Sequence, residues 1–372
     1  MRHILYFVLA IFIIAGCSQK PQSDVDTPEY HFKAGMRAVE SGNYTAALTS
    51  FQRSVDLDKK FAIGYCGLGL AHAYLGNNNE ARSNVNKGVG KGDKDPDVLA
   101  LGARVWITLR GSEKYWFKRS TKLLDKALKR KETHEASLYY YGVAHLYNYE
   151  FDEAGSYFQK VVIRKGEYAG RADDKWTLAQ KIVRAMPGTS VGKKVALHEK
   201  ITRADLAVLF AEELKISELF ARMPQQNAGF QTPGQYNAAG SSAGNPMDSQ
   251  GHWAETWINE MTQYDVLAVS PDRKFHPDAV ITRAEYAMAV QRLLVVATRD
   301  SGLETRYFGE SPSRFSDVPS SHYAYNAMAL CSERGIMQTD LLTGNFNPSG
   351  TVSGADALLI IRSIQNSLRM TF

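Results

Sequence analysis

Three short strings of one type recur in the C-terminal half of the chain. They are Ile201-Thr202-Arg203-Ala204-Asp205, Ile281-Thr282-Arg283-Ala284-Glu285 and Val352-Ser353-Gly354-Ala355-Asp356. Each places a hydroxyl residue before an acidic residue at the spacing of a capping box, and an apolar helical run follows. The hydroxyl and the acid therefore have a structural role that needs no ligand. Arg203 and Arg283 have no such structural role, because a cation at a helix N-terminus opposes the helix dipole. We therefore expect an anion at these helix N-termini, held by free N–H groups and a bidentate guanidinium.

Further matches lie upstream of the second and third strings. They are Asp248 with His252-Trp253-Ala254 and Phe275-His276-Pro277, and Asp317 with His322-Tyr323-Ala324 and Phe346-Asn347-Pro348. The strings together resemble the S-layer homology (SLH) domain, with a second copy at about 245–297 and a third at 313–367. A degenerate first copy at 171–220 has no Phe-x-Pro, and its first helix is predicted at residues 174–185.

The resemblance implies an all-α, pseudo-threefold bundle of helices, with grooves between copies that bind acidic cell-wall polysaccharide, often pyruvylated. Carried over by position, Arg203 and Arg283 would hold the carboxylate. The full predicted set of glycan-binding residues is Arg203, Asp205, Asp248, Trp253, Arg283, Glu285 and Asp317. Because the third copy has Gly354 in place of the arginine, we expect at most two competent grooves. Two alternatives stay open: Trp253 and Tyr323 pack in the core, or the triplet is only a structural fold.

A lone cysteine near the N-terminus follows an apolar run. The run, Ile4 to Ala15, is too short to span a bilayer and is typical of the core of a secretory signal peptide. Ile14-Ala15-Gly16-Cys17 comes next and resembles the lipobox of bacterial lipoproteins. The resemblance implies cleavage after Gly16 and a lipid on Cys17. Ser18 after the cysteine favours the outer membrane, and residues 17–27 form a polar leader.

Small residues recur at a period of 34 in the N-terminal half, as Gly35 and Gly69 and as Ala47 and Ala81. Four positions after each alanine comes an apolar residue such as Phe51. This pattern resembles the tetratricopeptide repeat (TPR), a helical hairpin in which small residues allow close helix approach and an aromatic ring fills the remaining gap. We count four units, at 28–61, 62–95, 96–134 and 135–168, within a TPR-like region of 28–170; the third is degenerate.

Stacked helical pairs present a concave face, and as a family such arrays bind proteins or peptides. The candidates for that face are Tyr65, His72, Tyr139, Tyr140, His145 and Tyr147. Their alternative role is packing between helices.

Composition excludes several classes of protein. Hydrophobic residues are 44% and charged residues 22%, so most of the chain can fold around a core. A net charge of +5, without a long block of one sign, gives nucleic-acid binding no support. Three cysteines are too few for a disulfide framework, and we find no metal-ligand spacing, cofactor motif or catalytic motif. We therefore expect neither an enzyme nor a cofactor.

The expected order is a signal peptide (1–16), the leader, the repeats, the first SLH-like copy, a Gln/Gly/Ser-rich linker (221–244) and two further SLH copies. This order predicts a lipid-anchored adaptor of the cell envelope. The repeats would bind an unknown protein or peptide, the SLH-like bundle would bind acidic wall glycan or peptidoglycan, and the lipid would bind the membrane. The alternative is a pilotin-like assembly factor for a pilus or secretion complex, in which the SLH-like part binds protein.

Overall fold

The computed structural model describes residue 23 and residues 25–221 and 246–369. Cys17, the predicted signal peptide and nearly all of the predicted linker lie outside these residues. The chain divides into two compact units, Met1–Trp176 and Thr177–Phe372, called here the N-terminal and C-terminal units. The described residues form helices and two isolated β-bridges, so the all-α prediction is confirmed. None of the described helices is both long enough and apolar enough to cross a membrane.

The N-terminal unit consists of four successive helical pairs. They are α1 (Pro28–Glu40) with α2 (Tyr44–Leu57), α3 (Ala62–Tyr74) with α4 (Asn78–Lys91), α5 (Pro96–Thr108) with α6 (Trp116–Arg130), and α7 (Glu135–Tyr147) with α8 (Phe151–Val162). The two helices of each pair pack against each other, and α3, α5 and α7 also pack in succession. The boundary between the units falls within α9 (Ala169–Ala185).

Close packing explains why the small residues recur in this unit. A Cβ atom on Gly35 would lie 2.6 Å from the ring of Phe51, and one on Gly142 would lie 2.6 Å from the ring of Phe158. Phe51 and Phe158 are both fully buried. Each glycine therefore leaves the space that the aromatic ring of the partner helix fills.

Among the described residues, the C-terminal unit contains seven α-helices after α9. They are α10 (Ser190–Val195), α11 (Arg203–Glu212), α12 (Ile216–Ala221), α13 (Glu255–Gln263), α14 (Arg283–Thr298), α15 (Tyr325–Glu333) and α16 (Gly354–Arg369). α13 packs on α11, and α15 packs on α14. The C-terminal part of α9 completes the set against α16, since Lys181 Nζ lies 2.9 Å from Asp356 and Arg362 Nε donates to Ala185 O over 2.6 Å.

Hydrogen bonds between the recurring strings run in cyclic order. Ile281 N donates to Ile201 O (3.1 Å), Arg283 N to Gly350 O (2.8 Å), and Ile201 N to Val352 O (2.9 Å). The first copy thus bonds to the second, the second to the third, and the third back to the first. This closed cycle is the predicted pseudo-threefold arrangement.

Gly354 occupies the place where the cycle closes. A Cβ atom there would overlap the carbonyl oxygen of Val195 and lie 3.1 Å from Ala196 Cα. Its own N–H donates to His198 O over 2.9 Å. The third copy therefore needs glycine at this position for backbone contact with the first.

Candidate functional site

Arg203 and Arg283 each bind the backbone of the following copy. Arg203 donates from Nε to Phe275 O (2.7 Å) and from Nη2 to Ala268 O (2.8 Å). Arg283 donates from Nε to Phe346 O (2.8 Å) and from Nη2 to Gln338 O (2.7 Å). Both guanidinium groups also lie over a phenylalanine ring, 4.7 Å from the centroid in each case.

These contacts give the two arginines a structural role that the sequence did not reveal. Burial lowers the pKa of both guanidinium groups, while nearby carboxylates act in the opposite direction. The carbonyl oxygens provide the negative ends of dipoles that offset the unfavourable helix dipole. The position of an arginine at a helix N-terminus therefore does not by itself require an external anion.

The acidic residues of the first two strings complete capping boxes as predicted. Thr202 N and Thr282 N donate to the carboxylates of Asp205 (3.0 Å) and Glu285 (2.7 Å). Asp205 is buried and also lies 3.2 Å from His198 Nδ1. Burial raises the pKa of Asp205, but the hydrogen bonds from His198 and Thr202 outweigh it and the pKa is lowered. Both acids thus hold helix N-termini.

Asp248 and Asp317 hold the loops that carry the Phe-x-Pro strings. Asp248 accepts from Phe275 N and His276 N, each over 2.7 Å. Asp317 accepts from the matching pair in the third copy, Phe346 N (2.8 Å) and Asn347 N (2.7 Å). The second residue of each pair has a left-handed backbone, with φ of 56° at His276 and 58° at Asn347. The carboxylates stabilise this turn and so fix the carbonyls that the arginines use.

Trp253 and Tyr323 are exposed aromatic residues at matching positions. The exposed fraction is 56% for Trp253 and 74% for Tyr323, so these rings do not pack in the core. The preceding histidine accepts a hydrogen bond from the backbone two residues later, Ala254 N to His252 Nδ1 (3.1 Å) and Ala324 N to His322 Nδ1 (3.2 Å). Each histidine therefore fixes the turn on which the aromatic ring is displayed.

Tyr323 borders a groove of about 460 Å³ in the C-terminal unit. The groove has an apolar floor that includes Leu267 and Ile281, and charged residues that include Arg203 and Glu285. The predicted residues that do not line it are Asp205, Asp248, Trp253, Arg283 and Asp317. Sequence reasoning left Met288 and Arg292 out of the site, and no recurring motif marks them. Sequence reasoning also left Tyr323 out of the predicted set, although Tyr323 occupies the position in the third copy that Trp253 occupies in the second.

A second groove, of about 530 Å³, lies within the N-terminal unit. Its lining comes from α1, α3, α5, α7 and the segment that leads into α9. Of the aromatic candidates that the sequence suggested, Tyr140 lines it. Sequence reasoning missed Arg104 and Tyr168, which also line it, because neither belongs to the repeating pattern.

Comparison with known proteins bears on the C-terminal unit. Residues 248–287 and 314–358 match the family model of the S-layer homology domain. The C-terminal unit therefore contains an SLH domain, which indicates association with the cell envelope. The chain matches no curated protein. The TPR likeness and the lipidation of Cys17 stay predictions.

Proposed function

We propose that this protein is a lipid-anchored adaptor of the cell envelope. The C-terminal unit binds acidic cell-wall polysaccharide or peptidoglycan, and the N-terminal unit binds a protein partner. Cys17 carries a lipid that holds the chain to a membrane, which we expect to be the outer membrane. The protein thereby links a partner protein to the wall.

The groove beside Tyr323 is the observation that supports wall binding most strongly. An aromatic ring displayed at the rim of a groove offers an amphipathic face, apolar on its surface and polar at its hydroxyl. The apolar C–H face of a sugar ring fits such a surface, while charged groups that line the groove can hydrogen-bond its hydroxyl and acidic substituents. Tyr323, Arg203 and Glu285 supply these features together.

Arg203 can contribute to binding although it is bonded to the protein. Its Nε and Nη2 are held by two carbonyl oxygens, which fix the plane of the guanidinium. Among the described residues, none accepts a hydrogen bond from Nη1. An acidic substituent on a glycan would meet a preorganised cation there, so little side-chain entropy would be lost on binding.

Sedimentation with purified sacculi tests this function. The chain from residue 18 onward, which contains every described residue, is mixed with sacculi and with sacculi stripped of secondary polysaccharide. We expect wild type to pellet, and Tyr323→Ala to reduce its apparent affinity roughly threefold to tenfold. Loss of binding to stripped sacculi would identify the polysaccharide, and unchanged binding would identify peptidoglycan.

Tyr115→Ala is the matched control, because Tyr115 is an exposed tyrosine (58%) of the N-terminal unit. It should pellet as wild type does. If wild type stays in solution, or Tyr323→Ala pellets as well as the control, the groove does not bind the wall.

A further inference from the structure

Among the described residues, three cations on the groove of the N-terminal unit have no carboxylate partner. Lys33 and Arg37 lie one helical turn apart on α1, and Arg104 lies on α5. Within the part of the chain that the structure describes, no carboxylate oxygen lies within 4.0 Å of their nitrogen atoms.

The acidic residues that line the same groove face other cations, one of which, Arg171, also lines the groove. Glu40 and Glu167 each lie 3.9 Å from the guanidinium of Arg171. Asp97 lies 3.1 Å from Nε2 of His134. The groove therefore has more positive charge than its own acids neutralise.

Arg104 is the most unusual of the three, because it is partly buried beside aromatic rings. Its guanidinium carbon lies 5.8 Å from the centroid of the Tyr140 ring. Burial works to lower the pKa of Arg104, but the neighbouring Tyr140, Tyr74 and Tyr168, with a hydrogen bond to Tyr74, act against it and the pKa is raised. The guanidinium thus stays charged in a partly desolvated place, where a charge without an anionic partner costs free energy that an incoming anion would offset.

The size and shape of the groove favour a chain segment over a small anion. Its volume of about 530 Å³ exceeds what one carboxylate group needs, and Met36, Ile63 and Leu101 supply apolar surface beside the cations. An adjoining pocket of about 550 Å³ shares Asp97, Ala136, Glu167 and Tyr168 with it. The two together form a continuous surface that also carries Lys131, Arg164 and Glu135.

We propose that this groove binds an acidic segment of the partner protein, with a carboxylate of the segment paired to Arg104 and others placed along Lys33 and Arg37. The apolar residues between the cations receive apolar side chains of the same segment. This inference rests on the proposed role of the N-terminal unit as a protein-binding module, and it gives the chemistry of the partner.

Fluorescence anisotropy with a labelled peptide tests the inference. The probe is a ten-residue peptide of about six Asp or Glu residues interspersed with leucines, compared with the same peptide in which Asn and Gln replace the acids. We expect the acidic peptide to bind the chain from residue 18 onward at low salt, about tenfold or more tightly than the neutral one. Raising the salt concentration should weaken binding, because these contacts are ionic.

Arg104→Gln should weaken binding of the acidic peptide by about tenfold or more and leave the neutral peptide unaffected. Lys122→Gln is the control, because Lys122 is exposed on α6 and does not line either pocket. It should bind the acidic peptide as wild type does. Circular dichroism of both variants confirms that each is folded.

Three results would overturn the inference: no binding of the acidic peptide, equal binding of the neutral peptide, or unchanged binding by Arg104→Gln. Displacement of the peptide by free glutamate at an equal concentration of carboxylate would assign the site to a small anion and would also overturn it. Sedimentation with sacculi, run on the same preparations, reports on the C-terminal unit alone. Failure of the peptide assay with intact wall binding therefore refutes the inference and leaves the wall-binding function standing.

Discussion

Arginine serves opposite purposes in the two units. In the C-terminal unit, Arg203 and Arg283 each donate two hydrogen bonds to backbone carbonyls of the next copy. In the N-terminal unit, Arg104 is partly buried but has no carboxylate partner among the described residues. The first two thus hold the fold through two donors each, whereas Arg104 has no anionic partner of its own among these residues.

The difference shows that burial of a charged group does not reveal its role until its partners are known. A guanidinium whose donors are matched stabilises the structure, and its removal leaves carbonyls without partners. A guanidinium without a counter-ion is a net cost to folding, so its removal should cost little or nothing.

Gly354→Ala should have the largest effect, because the third copy closes the cycle through backbone contact where the other copies have an arginine. The new Cβ atom would overlap the carbonyl oxygen of Val195, and backbone on both sides leaves little room to adjust. We expect the free energy of unfolding to fall by about 3 kcal/mol, measured by urea denaturation. Gly188→Ala is the control, because a Cβ there would meet its nearest neighbour, Glu213 Oε2, at 3.7 Å. Equal stability of the two variants would contradict the closed cycle.

Arg283→Gln should destabilise the C-terminal unit by roughly 1–3 kcal/mol, because it leaves two carbonyl oxygens without their donors. Those acceptors are Phe346 O and Gln338 O. Arg292→Gln provides the comparison, since its ion pair with Asp265 (3.2 Å) is solvent-exposed and should contribute less than about 1 kcal/mol. Urea denaturation of both variants measures the two losses in free energy of unfolding. A loss no greater than that of Arg292→Gln would show that Arg283 does not hold the fold.

The carboxylate of Asp248 should make stability depend on pH. Burial raises its pKa, but the N–H groups of Phe275 and His276 outweigh this effect and the pKa is lowered. A lowered folded-state pKa contributes stability above the ordinary value of about 3.9, and that contribution is lost as pH falls through the folded-state pKa. We expect wild type to have a larger free energy of unfolding than Asp248→Asn at neutral pH, and this difference should shrink below the ordinary pKa of an aspartate. If denaturation experiments give the same difference at every pH, the carboxylate of Asp248 does not make stability depend on pH.

Arg104→Gln should have the smallest effect on stability, within about 0.5 kcal/mol of wild type or slightly stabilising. The physical reason is that the substitution removes a partly desolvated charge without breaking an ion pair. Urea denaturation beside Arg283→Gln gives the comparison directly. If Arg104→Gln lost as much stability as Arg283→Gln, both arginines would stabilise the fold, which would contradict the contrast between them.

Local spacing predicted the features whose partners are near in sequence. The capping boxes at Thr202 and Thr282 join residues three positions apart, and the structure has both. The close approach of Gly35 to Phe51 followed from the repeat pattern in the same way. Such contacts recur at fixed spacing, so the pattern alone identifies them.

The hydrogen bonds that Arg203 and Arg283 donate to backbone carbonyls could not be predicted from local spacing. Arg203 bonds to carbonyls 65 and 72 residues away, and backbone carbonyls have no side-chain signature in a sequence. Asp248 and Asp317 are an intermediate case, because an acid and a Phe-x-Pro recur together in both copies, 27 and 29 residues apart. That joint recurrence could have identified the acids as structural. Arg104 has no recurring counterpart, so only the fold reveals its groove.

Amide hydrogen exchange on wild type, Arg104→Gln and Arg283→Gln, each with and without the acidic peptide, tests the contrast between the two units most directly. We expect faster exchange in residues 338–346 of Arg283→Gln and unchanged exchange in its N-terminal unit. We also expect the peptide to slow exchange in α1, α5 and α7 of wild type and Arg283→Gln but not of Arg104→Gln. Peptide protection that persists in Arg104→Gln, or unchanged exchange around residue 346 in Arg283→Gln, would contradict it.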